Sequence, residues 1–362
     1  MLRRSALAIA IFVLAALAAA PLAAAKPVSR DFVGITAEDV FAGDAAYRGS
    51  HLQAQSALGI GLIRQTFDWS RIEVAPGQYD LAYYDEFVAS AAAHGITVLP
   101  ILFRTPDFHL GRRHARYSCA PASNASLAAF AQTLVARYGR NGTLWAERPA
   151  VPKRPIASWQ VWNEPNLAQY WCGKPNAKAY VKMLKTVGKA IKRADRRAEV
   201  VTAGLPPSLM KSAVPLLRYV DQMYKAGAAK HFDSLAINSY AKDHKELSRL
   251  LTSVRKQMNK RRDRRGKIWI TELGWGDAGP KHRFNVGAGG QAKRISKSLA
   301  LIRKKRGKLG LRGVVYFSWR DGAPYAPNFE DQWGLHTGLL DITGAPKKGF
   351  HAFGQRVRSL RP

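Results

Sequence analysis

Cysteine is nearly absent. Cys119 and Cys172 are the only two in 362 residues. Two thiols are too few for a structural zinc site or for a disulfide-built scaffold, which leaves one bridge or two free thiols. Acidic residues are also scarce: 25 Asp and Glu stand against 57 Lys and Arg, a formal charge of +32 and a pI near 10.5. With so few carboxylates, any that fall inside apolar surroundings call for a reason. Linkers rich in Pro, Gly or Ser are missing, and so are repeats of solenoid length. No G-x-G-x-x-G follows an early strand, which disfavours a dinucleotide-binding doubly wound sheet. Beyond the N-terminal segment no apolar run is long enough to cross a membrane. At 47% hydrophobic and 10% aromatic residues, the chain can bury a large core.

The first residues read as a targeting segment. Arg3 and Arg4 precede an apolar stretch, Ser5 to Ala20, and Ala23-Ala24-Ala25 offers a small-residue cleavage site before Lys26. The expectation is a signal peptide over 1–25, or an uncleaved anchor, followed by one domain over 26–362. Such a chain is secreted or held at the cell envelope. Export argues against nucleic acid as the partner of the positive charge, and no nucleic-acid motif is present. Anionic polymers remain.

Apolar, β-rich runs occur at Phe32–Ile35, Gly61–Thr66, Thr97–Phe103, Ala157–Trp162, Val200–Ala203, Ser234–Asn238, Ile268–Thr271 and Gly313–Ser318. Segments of helical periodicity separate them, among them Tyr83–Ala93, Leu127–Tyr138, Ala177–Arg193, Ala213–Lys225, Lys245–Lys260 and Gln291–Lys305. Gly59 and Gly95 sit where helices should stop. Strand–helix alternation implies parallel strands with right-handed crossovers. Eight units predict a single closed (β/α)8 barrel, whose active sites lie at the C-terminal ends of the strands.

At those ends polar and aromatic groups gather. The second run carries Arg64. The fourth ends in Asn163-Glu164, where Pro165 stops the ladder. The sixth runs into Asn238-Ser239-Tyr240, the seventh ends at Glu272, and the eighth at Trp319. A buried carboxylate is costly unless paired or protonated. Pairing with an arginine such as Arg64 would explain one glutamate as a rim fastener. Two at one barrel mouth suit glycoside hydrolysis: one carboxyl protonates the leaving oxygen while the other attacks the sugar or activates water.

The stretches "VWNEPN" and "ITELGW" resemble the acid/base and nucleophile strands of clan A glycoside hydrolases, retaining enzymes on (β/α)8 barrels. The resemblance covers nearly the whole chain after the N-terminal segment and looks most similar to families 5 and 39. It implies that Glu164 is the general acid/base and Glu272 the nucleophile. Asn163 would bond the sugar 2-hydroxyl, Tyr240 would donate to the nucleophile, Arg64 would hold it from below, and Trp319 would form an apolar platform under the sugar. Asn238, a further candidate substrate contact, stands where many clan members carry histidine, so the sugar pocket should differ there. Family 39 xylosidases usually have an added β-rich domain, which is not seen in this sequence and weakens a xylosidase assignment. No cofactor or metal is implied. The alternative is a non-catalytic carbohydrate-binding barrel attached to an anionic envelope.

Loop aromatics Trp69, Phe108, Tyr170, Trp171, Trp275, Tyr325 and Trp333 could stack on sugars or simply pack; Trp275, beside a strand end, is a leading candidate for stacking. Cys119 and Cys172 fall in neighbouring loops on the same face, which makes a disulfide plausible beside the option of free thiols. The densest basic runs, 192–197, 255–267 and 303–308, each end a helix and precede a strand, so they belong on the bottom face, opposite the active site. Cations there complement helix dipoles, but one or two per helix would suffice. The excess points to adhesion to an anionic polymer. A smaller patch, Arg112, Arg113 and Arg116, lies on the top face and leaves room for an acidic sugar.

Overall fold

The eight apolar runs become eight strands: β1 (Val33–Thr36), β2 (Leu62–Asp68), β3 (Thr97–Phe103), β4 (Ser158–Val161), β5 (Glu199–Val201), β6 (Ser234–Asn238), β7 (Lys267–Leu273) and β8 (Leu311–Tyr316). All pair in parallel with their sequence neighbours, and β8 returns to β1, closing the barrel. The structure, a computed structural model, describes residues 27–111, 118–324 and 330–360. The expected signal segment, Arg112, Arg113, Arg116 and Tyr325 lie outside those residues.

A long helix follows each strand: α1 (Ala45–Ala57), α2 (Ala82–Ala93), α3 (Asn124–Tyr138), α4 (Ala177–Ala194), α5 (Leu216–Lys225), α6 (His244–Lys260), α7 (Gly287–Leu309) and α8 (Lys348–Leu360). Their starts are written locally. Asp44, Asn176 and Asp243 accept backbone N–H groups of the first turns of α1, α4 and α6. Several boundaries differ from the periodicity, two of them for a clear local reason. The fifth helix begins at Leu216, not Ala213, because Pro215 forces the residue before it out of helical geometry. The seventh runs on to Leu309, where Gly310 (φ 62°) ends it in the left-handed conformation. None of the described helices is long and apolar enough to cross a membrane.

Inside the barrel the side chains form layers. At the N-terminal mouth Glu199 accepts bonds from Ser158 Oγ (2.6 Å), Trp269 Nε1 (3.1 Å) and Ser234 Oγ, and pairs with Arg312 at 3.3 Å. Above it Leu62, Leu99, Val201, Ala236, Trp269 and Val315 make an apolar plug. Arg64, Gln160, Asn238 and Glu272 form the next layer, each buried. Outside, the inner faces of the helices and the outer faces of the strands merge into one large core.

The plug depends on glycine. A Cβ on Gly313 would lie 2.2 Å from the Trp269 ring. Gly313→Ala should therefore displace that ring and lower stability by about 1–3 kcal/mol. Urea unfolding followed by tryptophan fluorescence measures this; an unchanged midpoint would refute the packing argument.

Candidate active site

A cleft of about 630 Å³ opens at the C-terminal ends of the strands, with Glu164 and Glu272 in its lining. Strict strand alternation would not bring the residues of its floor together, since neighbours in sequence point to opposite sides. Two backbone irregularities do so. In β7 an extra residue is inserted: Ile237 and Asn238 of β6 pair with Ile270 and Glu272, while Val314 and Tyr316 of β8 pair with Ile270 and Leu273. This bulge lets both Thr271 and Glu272 reach Asn238. At the end of β4, Trp162 adopts φ 74° and Glu164 φ 45°, left-handed conformations that side chains of this size rarely take. The turn at Trp162 puts Gln160 and Asn163 on the same side, where both accept from Arg64.

These conformations are held from several directions. Trp162 N–H donates to Leu102 O (3.1 Å) and its indole to Tyr170 O (2.8 Å), while Glu164 N–H donates to Gly204 O (3.2 Å). The buried Asn166 donates to Pro206 O and Val214 O, tying the loop after β4 to the segment after β5. Pro165 is thus one part of a wider clamp.

The hydrogen bonds define the roles available to each group. Arg64, 2% exposed, donates to Gln160 Oε1 (2.8 Å), Glu272 Oε1 (2.9 Å) and Asn163 Oδ1 (3.0 Å). Tyr240 donates its hydroxyl to Glu272 Oε2. Asn238 Nδ2 donates to Glu164 Oε1 (2.7 Å) and Glu272 Oε1 (3.0 Å), and its Oδ1 accepts from Thr271 Oγ1 (2.8 Å). One nitrogen therefore bridges both carboxylates, whose nearest oxygens stand no farther apart than the sum of those two bonds, about 5.7 Å. Gly204 makes room for this bridge: a Cβ there would come within 2.2 Å of Asn238 Oδ1.

The two glutamates are unequal. Glu272 has Arg64 and Tyr240 as further partners; the Glu164 carboxyl is hydrogen-bonded by Asn238 alone among the described residues. Burial, and then the charge of Glu272, raise the Glu164 pKa to about 8, against the opposing effects of Asn238 and Arg64. Burial and the charge of Glu272 also push the Tyr240 phenol well above its usual range, so it remains a donor.

Three expectations need correction. Trp319, expected as a platform in the cleft, is fully buried; its indole donates to His51 Nδ1 (2.9 Å) and its ring packs near Phe350. Trp275 is fully buried too, donating to Ala241 O (2.7 Å). Asn238 lies behind the two glutamates with both ends of its amide engaged, so it sets their geometry and does not face a ligand. The cleft wall is built instead from Phe103, Tyr170, Phe317 and Trp333. Trp333 is stacked on His282 and edge-on to Tyr240. Of the other loop aromatics, Trp69 is fully buried, Trp171 packs edge-on to Trp162 and Phe108 stays exposed.

Gln160 and Thr271 were missed as site residues. Both are polar side chains within apolar strands, and that was their signal. Glu38, just past β1, was missed although the strand-end rule covers it. It is exposed at the rim of the cleft. Partial loss of hydration there raises its carboxyl pKa, despite a bond from Gln65 and the charges of Arg104 and Arg64. Cys119 and Cys172 are joined in a disulfide, Cα atoms 4.9 Å apart, linking the loops after β3 and β4 beside Tyr170. Among the described residues no group of three or more His, Cys, Asp or Glu side chains could hold a metal ion.

The closed barrel with this cleft has the fold of the glycoside hydrolases of families 39 and 5. A family 39 glycoside hydrolase from the gut symbiont Bacteroides cellulosilyticus superposes with a TM-score of 0.65 at 15% identity, over 93% of this chain and 66% of its own. The GH39 enzyme from Xanthomonas axonopodis pv. citri gives 0.69 at 16%, over 94% and 69%. GH5_18 from Streptomyces cattleya, solved in complex with GlcNAc, gives 0.67 at 14%, over 91% and 80%. The chain thus spans about two thirds of the length of these family 39 structures. At such identities the likeness establishes a shared fold. No protein-family profile matches the chain, and no curated protein matches it in sequence.

The raised pKa of Glu164 has a consequence for stability. Between the ordinary carboxylate range and about pH 8 the native state holds a proton that the unfolded chain releases, so stability falls as pH rises through that window. Glu164→Gln cannot ionise and should remove that part of the decline. The variant is expected to match the wild type near pH 4 and exceed it at pH 8.5 in thermal unfolding; parallel curves would contradict the assignment.

Proposed function

We propose that the protein is an exported retaining glycoside hydrolase that cleaves O-glycosidic bonds of an oligo- or polysaccharide. The observation that carries this reading is the single Asn238 nitrogen bonded to both carboxylates. Nearest oxygens within about 5.7 Å are compatible with the roughly 5–5.5 Å spacing of retaining pairs.

The inequality of the pair sets the direction of the chemistry. Glu272, held by Arg64 and Tyr240, attacks the anomeric carbon. Glu164, still protonated near neutrality, gives its proton to the departing oxygen. A glycosyl ester on Glu272 results. Glu164, now a carboxylate, takes a proton from water, whose oxygen attacks the same carbon and releases Glu272. Asn163 lines the cleft with its Oδ1 committed to Arg64, so its Nδ2 is the end that can donate to a sugar hydroxyl. Phe317 and Trp333 take the stacking role first expected of Trp319.

A 2-fluoro glycosyl inhibitor followed by peptide mass spectrometry should label Glu272, and a label on another residue would overturn the assignment. Glu164→Gln should lower kcat by roughly 10²–10⁴-fold on substrates with poor leaving groups. In the wild type, activity should fall on the alkaline side as Glu164 ionises, near pH 8.

Export and retention at an anionic envelope complete the proposal. The basic runs contain structural members: Arg255 is buried against the carbonyls of Leu309 and Gly266, Arg261 pairs with Asp221, and Lys192 with Asp233. Arg193, Arg196, Arg197, Lys260, Arg262, Arg264, Arg265, Lys304 and Lys308 are exposed and join no ion pair among the described residues. All lie at or just before the turns into β5, β7 and β8, at the end of the barrel opposite the cleft. An anionic polymer could engage them without covering the active site. Retention on a polyanionic matrix should weaken steeply with salt. Changing Arg262, Arg264 and Arg265 to Ser should lower the eluting salt concentration and spare turnover of small glycosides; unchanged elution would reject the face.

A further inference from the structure

A second cavity of about 700 Å³ adjoins the catalytic cleft and shares Glu38, Thr66 and Arg104 with it. Gln65 and Asp68, both buried, come from β2; Phe41, Tyr83 and Tyr84 supply aromatic wall. Its polar groups are cross-braced. Gln65 Nε2 donates to Glu38 Oε2 (2.8 Å), and Asp68 Oδ2 accepts from Arg104 Nη1 (2.9 Å) and pairs with Arg71 at 3.5 Å. Three features set it apart from a surface hollow. Gln65, 1% exposed, keeps its Oε1 without a protein partner. Arg104 ends β3 in a left-handed conformation, φ 69°, of the strained kind that clusters at ligand sites. Tyr83 is 45% exposed, yet its hydroxyl donates to Phe41 O and Phe41 meets its ring edge-on at 5.0 Å. An exposed ring fixed this way is a ready stacking surface.

We infer that this cavity is a second sugar subsite, which takes an uncharged, hydroxyl-rich unit next to the one held at Glu164 and Glu272, with Glu38 at the junction of the two. Glu38 offers carboxylate acceptors to sugar hydroxyls, Arg71 and Arg104 offer donors, and the Tyr83 ring meets the apolar face of the sugar. The charges select for a neutral unit. Glu38, Asp68 and Asp80 gather here in a chain poor in acids, and Asp68 already engages both arginines. A uronate or sulfate would meet these carboxylates, while Asp68 already offsets part of the charge of Arg71 and Arg104. The inference rests on the glycoside hydrolase reading and deepens it: the substrate is at least two units long at this end.

The test compares kcat/KM on aryl glycosides of one, two and three units in xylosyl, mannosyl and glucosyl series, for the wild type, Tyr83→Ala and Tyr83→Phe. The wild type should favour the longer substrates of its preferred series. Tyr83→Ala should cut that preference roughly tenfold, the worth of one aromatic contact, and leave the one-unit glycoside within twofold of wild type. Tyr83→Phe keeps the ring and should keep the preference. An undiminished preference in Tyr83→Ala, or equal losses at every length, would overturn the subsite. If the wild type turns over none of the glycosides, the hydrolase reading fails. Calorimetry with the free trisaccharides then decides the cavity: binding weakened by Tyr83→Ala supports it, and no binding or undiminished binding overturns it.

Discussion

The candidate site depends on one buried ion pair. Arg64 and Glu272 meet at 2.9 Å in the upper layer of the barrel, where neither charge is well hydrated. Such a pair is tolerable only if the remaining hydrogen-bonding capacity of both partners is met. The surrounding residues meet it. Gln160 and Asn163 accept from the guanidinium, while Tyr240 and Asn238 donate to the carboxylate. Removing one charge from a buried pair costs about 3–5 kcal/mol in general, so Arg64 supports both the local fold and the charge state of Glu272.

Glu164 shares this environment without the same compensation. It is bonded by the Asn238 amide and faces the negative charge of Glu272, so its proton is held to about pH 8. Its surroundings thereby set Glu164 apart from an ordinary carboxyl. Asn238 is central to the difference, because Thr271 fixes its oxygen and turns its nitrogen toward both acids. Position 238 presents an amide, which carries no charge at any pH of interest. That amide can bridge the two carboxylates without adding a titration of its own.

The uneven charge of the chain takes on a spatial meaning. Glu38, Asp68, Glu164 and Glu272 line two adjoining cavities at the C-terminal mouth of the barrel. Exposed cations without an ion-pair partner among the described residues, Arg196, Arg197, Arg262, Arg264 and Arg265 included, stand at the opposite end. The proposed polyanion contact and the proposed sugar contact therefore fall at opposite ends of the barrel.

Much of this was legible in the sequence. Strand–helix alternation, the acids at two strand ends and the pairing of Cys119 with Cys172 depend on local pattern and on the order of elements, and both survive folding. What the sequence could not convey was which way several side chains point. Trp275 and Trp319 adjoin strand ends and looked like sugar platforms, yet both rings turn into the core, where their indole N–H groups find Ala241 O and His51. Asn238 looked like a ligand contact and proved to be the brace behind the acids. A linear pattern of period two places Gln160 and Asn163 on opposite faces, and Thr271 and Glu272 likewise. Only the left-handed turn at Trp162 and the extra residue in β7 bring each pair to the same side. Those irregularities are held by bonds to Leu102, Tyr170, Gly204 and the neighbouring strands, partners distant in sequence or set by the closed sheet. The sequence by itself determined the barrel and which two strands carry the acids. Tertiary contact alone decided that the acids meet across a single amide, because that geometry exists only once the barrel has closed.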